Sequence, residues 1–456
     1  MLKSRLAKLL VMALAVVMVV PVIGVSAQDG TVVDVILGSP DHTTLALAVD
    51  LAGVADMLSN ADAEYTVFAP TDAAFGGVSP YVTNAALSDT ELLTALLSYH
   101  VVAGKIMSAD IAEGCNDVET LLGETLKICK SDAGVTVNSA SVTTADLEAS
   151  NGVVHVIDGV VIPPVELPEI DPLDYEGSLV IIGSGTVYPL SKAINQRWED
   201  EGGNGVAIDL QDPGSSAGFE AFCVEAKSDI ANASRGAKDS DYENCAGIGR
   251  DLIEFRIGTD ALVVMVNPAN SLTGVTIEDL AKIFSGEAKT WGEIDPSLAD
   301  LGDIELYSPG SEHGTYGYFV EEVFDNDSAA LDNSGAQFVA YDFLVQGVAS
   351  SPGAIGYAGY AYYIENSDIV KPLDIEGVTP SGANVDNGSY PLARPLFMYS
   401  SESSFEANPI AAAYVAYYLN VVNEEIGAVG YFPASIDGLN TARLSWYVAN
   451  EDMMME

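Results

Sequence analysis

Basic residues are scarce in this chain of 456 residues. It has 18 lysines and arginines against 66 aspartates and glutamates, which gives a formal net charge of −48. Nucleic-acid backbones are bound through clusters of lysine and arginine, so this composition excludes a nucleic-acid-binding protein. The acidity keeps a protein soluble and carries no information about its fold. The charge balance therefore excludes one class of function and does not indicate a fold.

Long apolar runs are also rare. Residues 9–25 form one after a basic start, and residues 25–27 (Val-Ser-Ala) resemble a small-residue cleavage site. We expect residues 1–27 to be a signal peptide, with an uncleaved membrane anchor as the alternative. No cysteine follows the run, so a lipid anchor is not expected. The chain is therefore expected to be exported, to the periplasm, the cell surface or the exterior.

Cysteine is equally scarce, with four residues in the chain. An exported protein is in a compartment where disulfides persist. Four cysteines allow three pairings, which sequence alone cannot distinguish. The simplest is pairing within each half, Cys115 with Cys129 and Cys223 with Cys245. Metal binding is the alternative, but no CxxC or Cys/His spacing supports it, so neither a metal site nor a cofactor is expected.

The length and the hydrophobic content both favour a protein of several domains. The chain exceeds one ordinary domain, and 48% hydrophobic residues are enough for packed cores. Residues 163–172 contain four prolines. Prolines at this density forbid a helix and favour an extended, semi-rigid spacer. We therefore expect a linker over residues 164–176 between a first unit, residues 30–163, and a second unit, residues 177–456.

Apolar spacing in the first unit predicts helices over residues 31–37, 45–58 and 92–102 and a strand over residues 65–69. Short alternating strands follow. No residue of this unit points to catalysis. Its histidines His100 and His155 lie among apolar residues, which favours core histidines over ligands.

Three stretches of the first unit form an ordered pattern. Residues 65–75 read Tyr-Thr-Val-Phe-Ala-Pro-Thr-Asp-Ala-Ala-Phe, residues 99–102 read Tyr-His-Val-Val, and residues 151–163 read Asn-Gly-Val-Val-His-Val-Ile-Asp-Gly-Val-Val-Ile-Pro. Over nearly its whole length the unit resembles a fasciclin domain. The resemblance implies an α+β module, with helices on a small β-sandwich, of the kind found in extracellular adhesion and matrix proteins.

Three loops rich in glycine, serine and threonine each follow a strand-like run and precede a helix in the second unit. They lie at residues 183–189, 212–218 and 307–319. Such a junction presents free N–H groups at a helix start, where the helix dipole attracts an anion. A capped helix after a turn is the alternative for any one loop. Three loops, with Arg235 beside Ser234, indicate one anion site at the strand ends of an α/β sheet.

Other phosphate-binding and metal-binding patterns fit poorly. There is no GxxxxGK[ST] loop and no GxGxxG fingerprint. A hydrolase that uses Ser216 or Ser311 with His313 is a weak alternative, and no catalytic residue is expected. A calcium site at residues 325–332 lacks the glycine and the terminal glutamate of an EF-hand loop.

Short motifs continue along the whole second unit. They lie at residues 183–189, 214–219, 229–235, 283–286 with Trp291, 310–316, 353–357 and 394–397. In this order they are similar to the substrate-binding proteins of phosphate ABC transporters, of the periplasmic-binding-protein type II family. The resemblance implies an α/β domain of two lobes that close on one anion, with lobe one at about 177–266 and 394–456 and lobe two at about 267–393.

The same resemblance implies inorganic phosphate as the ligand and an ABC transporter permease as the partner. The expected ligand-binding residues are Thr186, Val187 (through its N–H), Ser215, Ser216, Ser234, Arg235, Ser311, His313, Gly314 and Thr315.

The sequence departs from some family members near this site. They have arginine where this chain has Pro309, serine at His313, and an aspartate near Arg235. A carboxylate accepts the proton of monohydrogen phosphate but faces lone pairs on sulfate. Without a placed aspartate, preference for phosphate over sulfate is inferred from the family alone, and Asp229, Glu312 or neutral His313 are the acceptors considered.

These observations lead to one functional hypothesis and one alternative. The hypothesis is an extracytoplasmic phosphate-binding protein that delivers phosphate to an ABC importer, with the fasciclin module attaching it to matrix or envelope material. The alternative is an adhesion or matrix protein whose second unit binds another oxyanion or has no transport role.

Overall fold

The computed structural model describes residues 30–132, 134–311, 314–386 and 388–451. The expected signal peptide at residues 1–27 lies outside the described residues, as do Glu312 and His313. Within the described ranges no helix combines the length and the apolar character needed to cross a membrane.

A seven-stranded sheet organises the first unit, in the order β2-β1-β7-β6-β5-β4-β3, with β1 parallel to β7 and the other neighbours antiparallel. The strands are β1 (Tyr65–Pro70), β2 (Val101–Ala103), β3 (Gly114–Glu119), β4 (Thr125–Ser131), β5 (Gly134–Val137), β6 (Ala140–Ala149) and β7 (Gly152–Ile157). The helices are α1 (Val32–Leu37), α2 (Thr43–Ala52), α3 (Ala55–Leu58), α4 (Pro80–Ser88) and α5 (Thr90–Tyr99), with a 3₁₀ turn at Ala74–Gly77.

Two helices predicted in this unit are shorter than the apolar spacing indicated. The helix predicted over residues 45–58 is broken at Gly53, whose left-handed φ of 67° ends α2. The helix predicted over residues 92–102 ends at Tyr99, because the residues from Val101 onward pair with β1. In both places a helical spacing of apolar residues continued past the true helix end.

The two histidines singled out in this unit are core residues, as predicted. His100 Nδ1 lies 2.8 Å from the Leu96 carbonyl oxygen, and His155 Nε2 lies 2.9 Å from the Ile106 carbonyl oxygen. Burial lowers the pKa of His100 to about 4. Their ring nitrogens are therefore used in packing the domain.

The second unit alternates strands and helices. Its first part contains β8 (Gly177–Gly183), α6 (Tyr188–Asp200), β9 (Val206–Gln211), α7 (Ser215–Cys223), β10 (Ile230–Ala233), α8 (Asp239–Gly247) and β11 (Ile253–Val266). Its middle part contains β12 (Gly274–Val275), α9 (Ile277–Phe284), α10 (Trp291–Ile294), a 3₁₀ turn at Pro296–Leu301, β13 (Glu305–Ser308), α11 (Gly314–Phe324), α12 (Ser328–Asp332), β14 (Gln337–Phe338), α13 (Tyr341–Ser350), β15 (Ala354–Gly359), α14 (Tyr360–Glu365), β16 (Lys371–Pro372), β17 (Asp374–Ile375) and α15 (Gly382–Asp386). Its last part contains β18 (Ala393–Ser400), α16 (Glu402–Ala407), α17 (Pro409–Val429) and α18 (Ile436–Ala449).

The long strand β11 joins two separately packed lobes. Its residues Ile253 to Ala261 pair with β18, and its residues Leu262 to Val266 pair with β15. Lobe one packs around β8, β9, β10 and the first half of β11, together with α16 to α18, whereas lobe two packs around the second half of β11 and the elements from β12 to α15. Strands β11 and β18 therefore form the connection between the lobes.

The first unit docks on lobe one through a buried carboxylate. Asp437, at the start of α18, accepts hydrogen bonds from the Ser139 N–H at 3.0 Å, the Ile162 N–H at 2.9 Å and Asn138 Nδ2 at 3.0 Å. The Ser139 hydroxyl donates to the same carboxylate. Leu444 on the next turns of α18 packs into the core of the first unit. One helix of lobe one therefore supplies both polar and apolar contacts to this interface.

The expected linker lies against lobe one. Leu167 and Ile170 pack on its core, and Asn420 Nδ2 donates to the Pro168 carbonyl oxygen at 3.0 Å. A 3₁₀ turn forms at Pro172–Asp174, where the prolines were expected to forbid a helix. The expectation was wrong for this turn because proline is tolerated in the first turn of a helix, where its missing N–H is not needed.

Two disulfides connect neighbouring elements. Cys115 on β3 is bonded to Cys129 on β4, and Cys223 on α7 is bonded to Cys245 on α8. The second bond lies in lobe one, at the C-terminal end of the helix that begins with Ser215.

Replacing Asp437 tests the interface between the first unit and lobe one. We expect Asp437→Ala to lower the free energy of unfolding by about 2–5 kcal/mol, because several buried donors lose their acceptor. Urea denaturation followed by circular dichroism measures this change. Asp300→Ala, an exposed aspartate in lobe two, is the control and should change the value little. Equal stability of the two variants would contradict this account of the interface.

Candidate functional site

A cavity of about 570 Å³ lies between lobe one and helix α11 of lobe two. It is open to solvent on one side and lined largely by small hydroxyl residues, glycines and a few charged groups. The lining residues are Ser184, Gly185, Thr186, Pro213, Gly214, Ser215, Ser216, Ala217, Ser234, Arg235, Gly317, Tyr318, Glu321 and Arg394. The loops predicted at residues 183–189 and 212–218 therefore meet at one place with Ser234 and Arg235, which follow β10.

The first loop follows β8 and leads into α6. Ser184 Oγ accepts a hydrogen bond from the Thr186 N–H at 3.1 Å, which fixes the turn. No side chain caps the start of α6, although Thr31 and Thr276 cap other helices of the chain. Val187, the N-cap residue, has a fully buried side chain in the core of lobe one, so only its backbone is suited to a ligand.

The second loop follows β9 and leads into α7. Its N-cap residue is Gly214, whose φ of 110° and ψ of 158° are accessible to glycine and strongly unfavourable for other residues. This helix also lacks a side-chain cap, and Ser215 and Ser216 are its first two residues. The N–H groups of this first turn therefore open toward the cavity with the positive end of the helix dipole.

The third contribution comes from the end of β10. The Ser234 N–H donates to Ser215 Oγ at 3.2 Å, which holds the second and third loops together. Arg235 Nη1 is 2.8 Å from Asp241 Oδ2, and the guanidinium lies 4.7 Å from the centre of the Phe219 ring. Arg235 is thus kept at the cavity wall by an ion pair and an aromatic contact, with side-chain exposure of 26%.

Lobe two contributes the second turn of α11. Gly317, Tyr318 and Glu321 line the cavity, whereas Ser311 and Thr315 are not among its described lining residues. Thr315 is buried, and its Oγ1 accepts a hydrogen bond from Tyr341 at 2.8 Å. His313 lies outside the described residues. A ligand role for this loop therefore stays a prediction.

Arg394 is a lining residue that the sequence interpretation missed. It lies at the start of β18, directly opposite Asp260 on β11. Its Nε and Nη2 donate to Asp260 Oδ2 at 3.2 Å each, and its guanidinium lies 3.8 Å from the centre of the Tyr318 ring. Asp260 is 2% exposed, and burial raises its pKa while Arg394 opposes that rise. The motif at residues 394–397 was recognised, but its arginine was not assigned to the site.

Ser184 and Glu321 were also missed. The loop at residues 183–189 could have suggested Ser184, since it has a hydroxyl two residues before the predicted Thr186. No local signal marks Glu321, because its place in the cavity depends on how α11 packs against β18. Asp229 was considered as an acceptor for the proton of phosphate. Its Oδ2 instead accepts a hydrogen bond from the Val180 N–H at 2.8 Å.

Two other kinds of site find little support in the described part of the chain. There, no three His, Cys, Asp or Glu side chains lie together in a way that could hold a metal ion. Residues 214–218 (Gly-Ser-Ser-Ala-Gly) match the GxSxG spelling of a nucleophile elbow, with Ser216 at the centre. A nucleophilic serine needs a neighbouring base, and the described lining residues include no histidine.

Comparison with known families assigns the larger part of the chain. A model of the PBP superfamily domain matches residues 172–421, more than half of the chain. The chain belongs to the PBP superfamily. A fasciclin domain model matches residues 40–163, so a fasciclin domain precedes the PBP domain.

Individual relatives agree with this assignment. The chain is similar to Protein SphX of Synechococcus elongatus, with 35% identity over 261 residues that cover 55% of this chain and 76% of the relative. It is similar to the phosphate-binding protein PstS of Staphylococcus haemolyticus, with 34% identity over 264 residues that cover 57% and 81% of the two chains. The crystal structure of a possible phosphate binding protein from Planctomyces limnophilus matches with a TM-score of 0.55 and 29% identity, over 60% of this chain and 99% of that one.

The close packing of α7 on β8 can be tested at Gly218. A Cβ atom there would lie 2.7 Å from both the Gly183 Cα and the Ile182 carbonyl oxygen, both of them backbone atoms. We expect Gly218→Ala to reduce the free energy of unfolding by about 1–3 kcal/mol. The control is Gly427→Ala in α17, where a Cβ meets nothing within 4 Å. Chemical denaturation that ranks Gly218→Ala as the more stable variant would refute this packing.

Proposed function

We propose that the PBP domain binds inorganic phosphate outside the cytoplasm and delivers it to an ABC importer. The proposal rests chiefly on one observation, the convergence of uncapped helix starts, serine and threonine hydroxyls and two arginines on one cavity between two lobes. These are donors and positive charges, which suit a small oxyanion. The names of the relatives that mention phosphate support the same ligand.

The proposed phosphate contacts come first from lobe one. They are the side chains of Thr186, Ser215, Ser216, Ser234 and Arg235 with the Val187 N–H. Ser311, His313, Gly314 and Thr315 are proposed to join from lobe two when the lobes close on the anion. Closure would bring donors around a site that is now open on one side, and it would strengthen each contact by removing water.

The acidity of the whole chain is compatible with an anion ligand. Exposed carboxylates act over a screening length of about 8–10 Å at physiological salt, so distant ones contribute little inside the cavity. The donors that line the cavity act at hydrogen-bond distance. We therefore propose that the surface charge slows the encounter with phosphate more than it weakens the bound complex.

We propose that the fasciclin domain attaches the receptor to matrix or envelope material. Its docking on lobe one through Asp437 supports this, because an attachment module that contacts one lobe leaves the other lobe free to move. The alternative is an adhesion or matrix protein whose PBP domain binds another oxyanion or serves no transport role.

Removing the guanidinium of Arg235 tests phosphate binding at this cavity. We expect Arg235→Ala to weaken phosphate binding at least about tenfold, because a charge-assisted contact to the anion is lost. Isothermal titration calorimetry of the mature chain measures the dissociation constant. Lys227→Ala removes the same charge from an exposed position on the same lobe and should bind like the wild type. Wild-type protein that binds neither phosphate nor sulfate would favour the adhesion alternative.

Attachment through the fasciclin domain can be tested by cosedimentation. We expect the mature chain to cosediment with purified envelope or matrix material, and a chain that begins at residue 164 to remain in solution while it still binds phosphate. The phosphate titration of the shortened chain shows that it is folded. Equal cosedimentation of both chains would exclude this role for the fasciclin domain.

A further inference from the structure

An ion pair between lobe two and the hinge strands (the connecting strands β11 and β18) lies in the cavity. Arg394 Nη1 on β18 is 2.9 Å from Glu321 Oε2 on α11, and both residues line the cavity. Together with Arg235 they are the charged side chains among its described lining residues. The pair therefore places a carboxylate against a guanidinium inside the site where an oxyanion is proposed to bind.

The two carboxylates that contact Arg394 differ greatly in their access to water. Asp260 is 2% exposed and holds Nε and Nη2 of the guanidinium. The Glu321 side chain is 51% exposed and holds Nη1. Moving Asp260 away would leave a buried charge without its partner, which is costly. Glu321 can turn into water, because about half of its side chain is already exposed.

The guanidinium itself is fixed in place. Tyr318, one helical turn before Glu321 on α11, is 2% exposed and stacks against Arg394 at 3.8 Å. Asp260 lies behind it on the adjacent strand in direct register. A guanidinium that is oriented on two sides and paired with a half-exposed carboxylate on the third presents a donor for a new acceptor.

We propose, resting on the phosphate-binding function above, that Arg394 is an anion-binding residue and that Glu321 occupies its outer nitrogen until phosphate arrives. Phosphate displaces the Glu321 carboxylate from Nη1, and Asp260 and Tyr318 keep the guanidinium in place during the exchange. Arg394 supplies an arginine from β18 in a chain that has Pro309 in the loop before α11. Glu321 thus sets affinity by competing with the ligand.

A rival role for Glu321 predicts the opposite result. A carboxylate in the cavity could accept the proton of monohydrogen phosphate and so favour phosphate over sulfate. Under that role, Glu321→Gln would weaken phosphate binding and bring the sulfate affinity closer to it. Under the exchange, the same substitution removes a competitor and a negative charge, so it strengthens binding of both anions.

The test is calorimetric titration of the full mature chain with phosphate and with sulfate. We expect Glu321→Gln to bind phosphate about three- to tenfold more tightly than the wild type, with the phosphate-to-sulfate ratio unchanged. Glu322→Gln is the matched control, because it removes the same charge from the next residue of α11, which does not line the cavity. It should change the phosphate affinity by less than about twofold, because salt screens an exposed charge outside the cavity.

The outcomes separate this inference from the proposed function. Tight phosphate binding by the wild type with unchanged or weaker binding by Glu321→Gln would overturn the exchange and leave the phosphate receptor intact. An equal rise in phosphate affinity in Glu322→Gln would show that the effect comes from net charge and not from competition at Arg394. That result would also overturn the exchange. No phosphate binding by any of the proteins would overturn the receptor function, and the exchange with it.

Discussion

The pairing of β11 with β18 is the interaction on which the rest of this structure depends. It crosses from lobe one toward lobe two, and β11 then continues into lobe two by pairing with β15. Asp260 and Arg394 face each other at the end of this pairing, so a buried ion pair lies where the lobes diverge. Its backbone hydrogen bonds connect two separately packed cores. The cavity opens at that junction, and residues of both lobes line it.

The placement of charge explains how an acidic protein can hold an anion. Its few basic side chains are not spread evenly, since Arg235 and Arg394 both reach the cavity and each is supported by an aspartate and an aromatic ring. The supporting carboxylates, Asp241 and Asp260, lie behind the guanidinium groups. These two aspartates are not among the described lining residues, whereas Glu321, the third carboxylate in contact with these arginines, is. Uncapped helix starts add further positive potential without adding charge to the chain.

Sequence patterns predicted the loops of lobe one well and the remainder of the site poorly. Ser215, Ser216 and Ser234 follow strands in short local motifs, and parallel strands bring such loops to one edge of a sheet. Arg394 and Glu321 are 73 residues apart, and their contact depends on the packing of α11 against the hinge strands, which no local pattern encodes. The same limit applies to Asp437, whose partners lie in the fasciclin domain about 300 residues earlier. Local signals failed similarly at helix ends, where Gly53 stops a helix that apolar spacing alone extends.

A crystal structure of the mature protein grown with phosphate tests the central claim most directly. The account predicts one phosphate in contact with the Ser216 loop, Arg235 and Arg394, with α11 moved toward lobe one and the Glu321 carboxylate released from Arg394. A cavity without phosphate under saturating conditions, or phosphate bound outside it while the Arg394–Glu321 pair stays intact, would contradict the account.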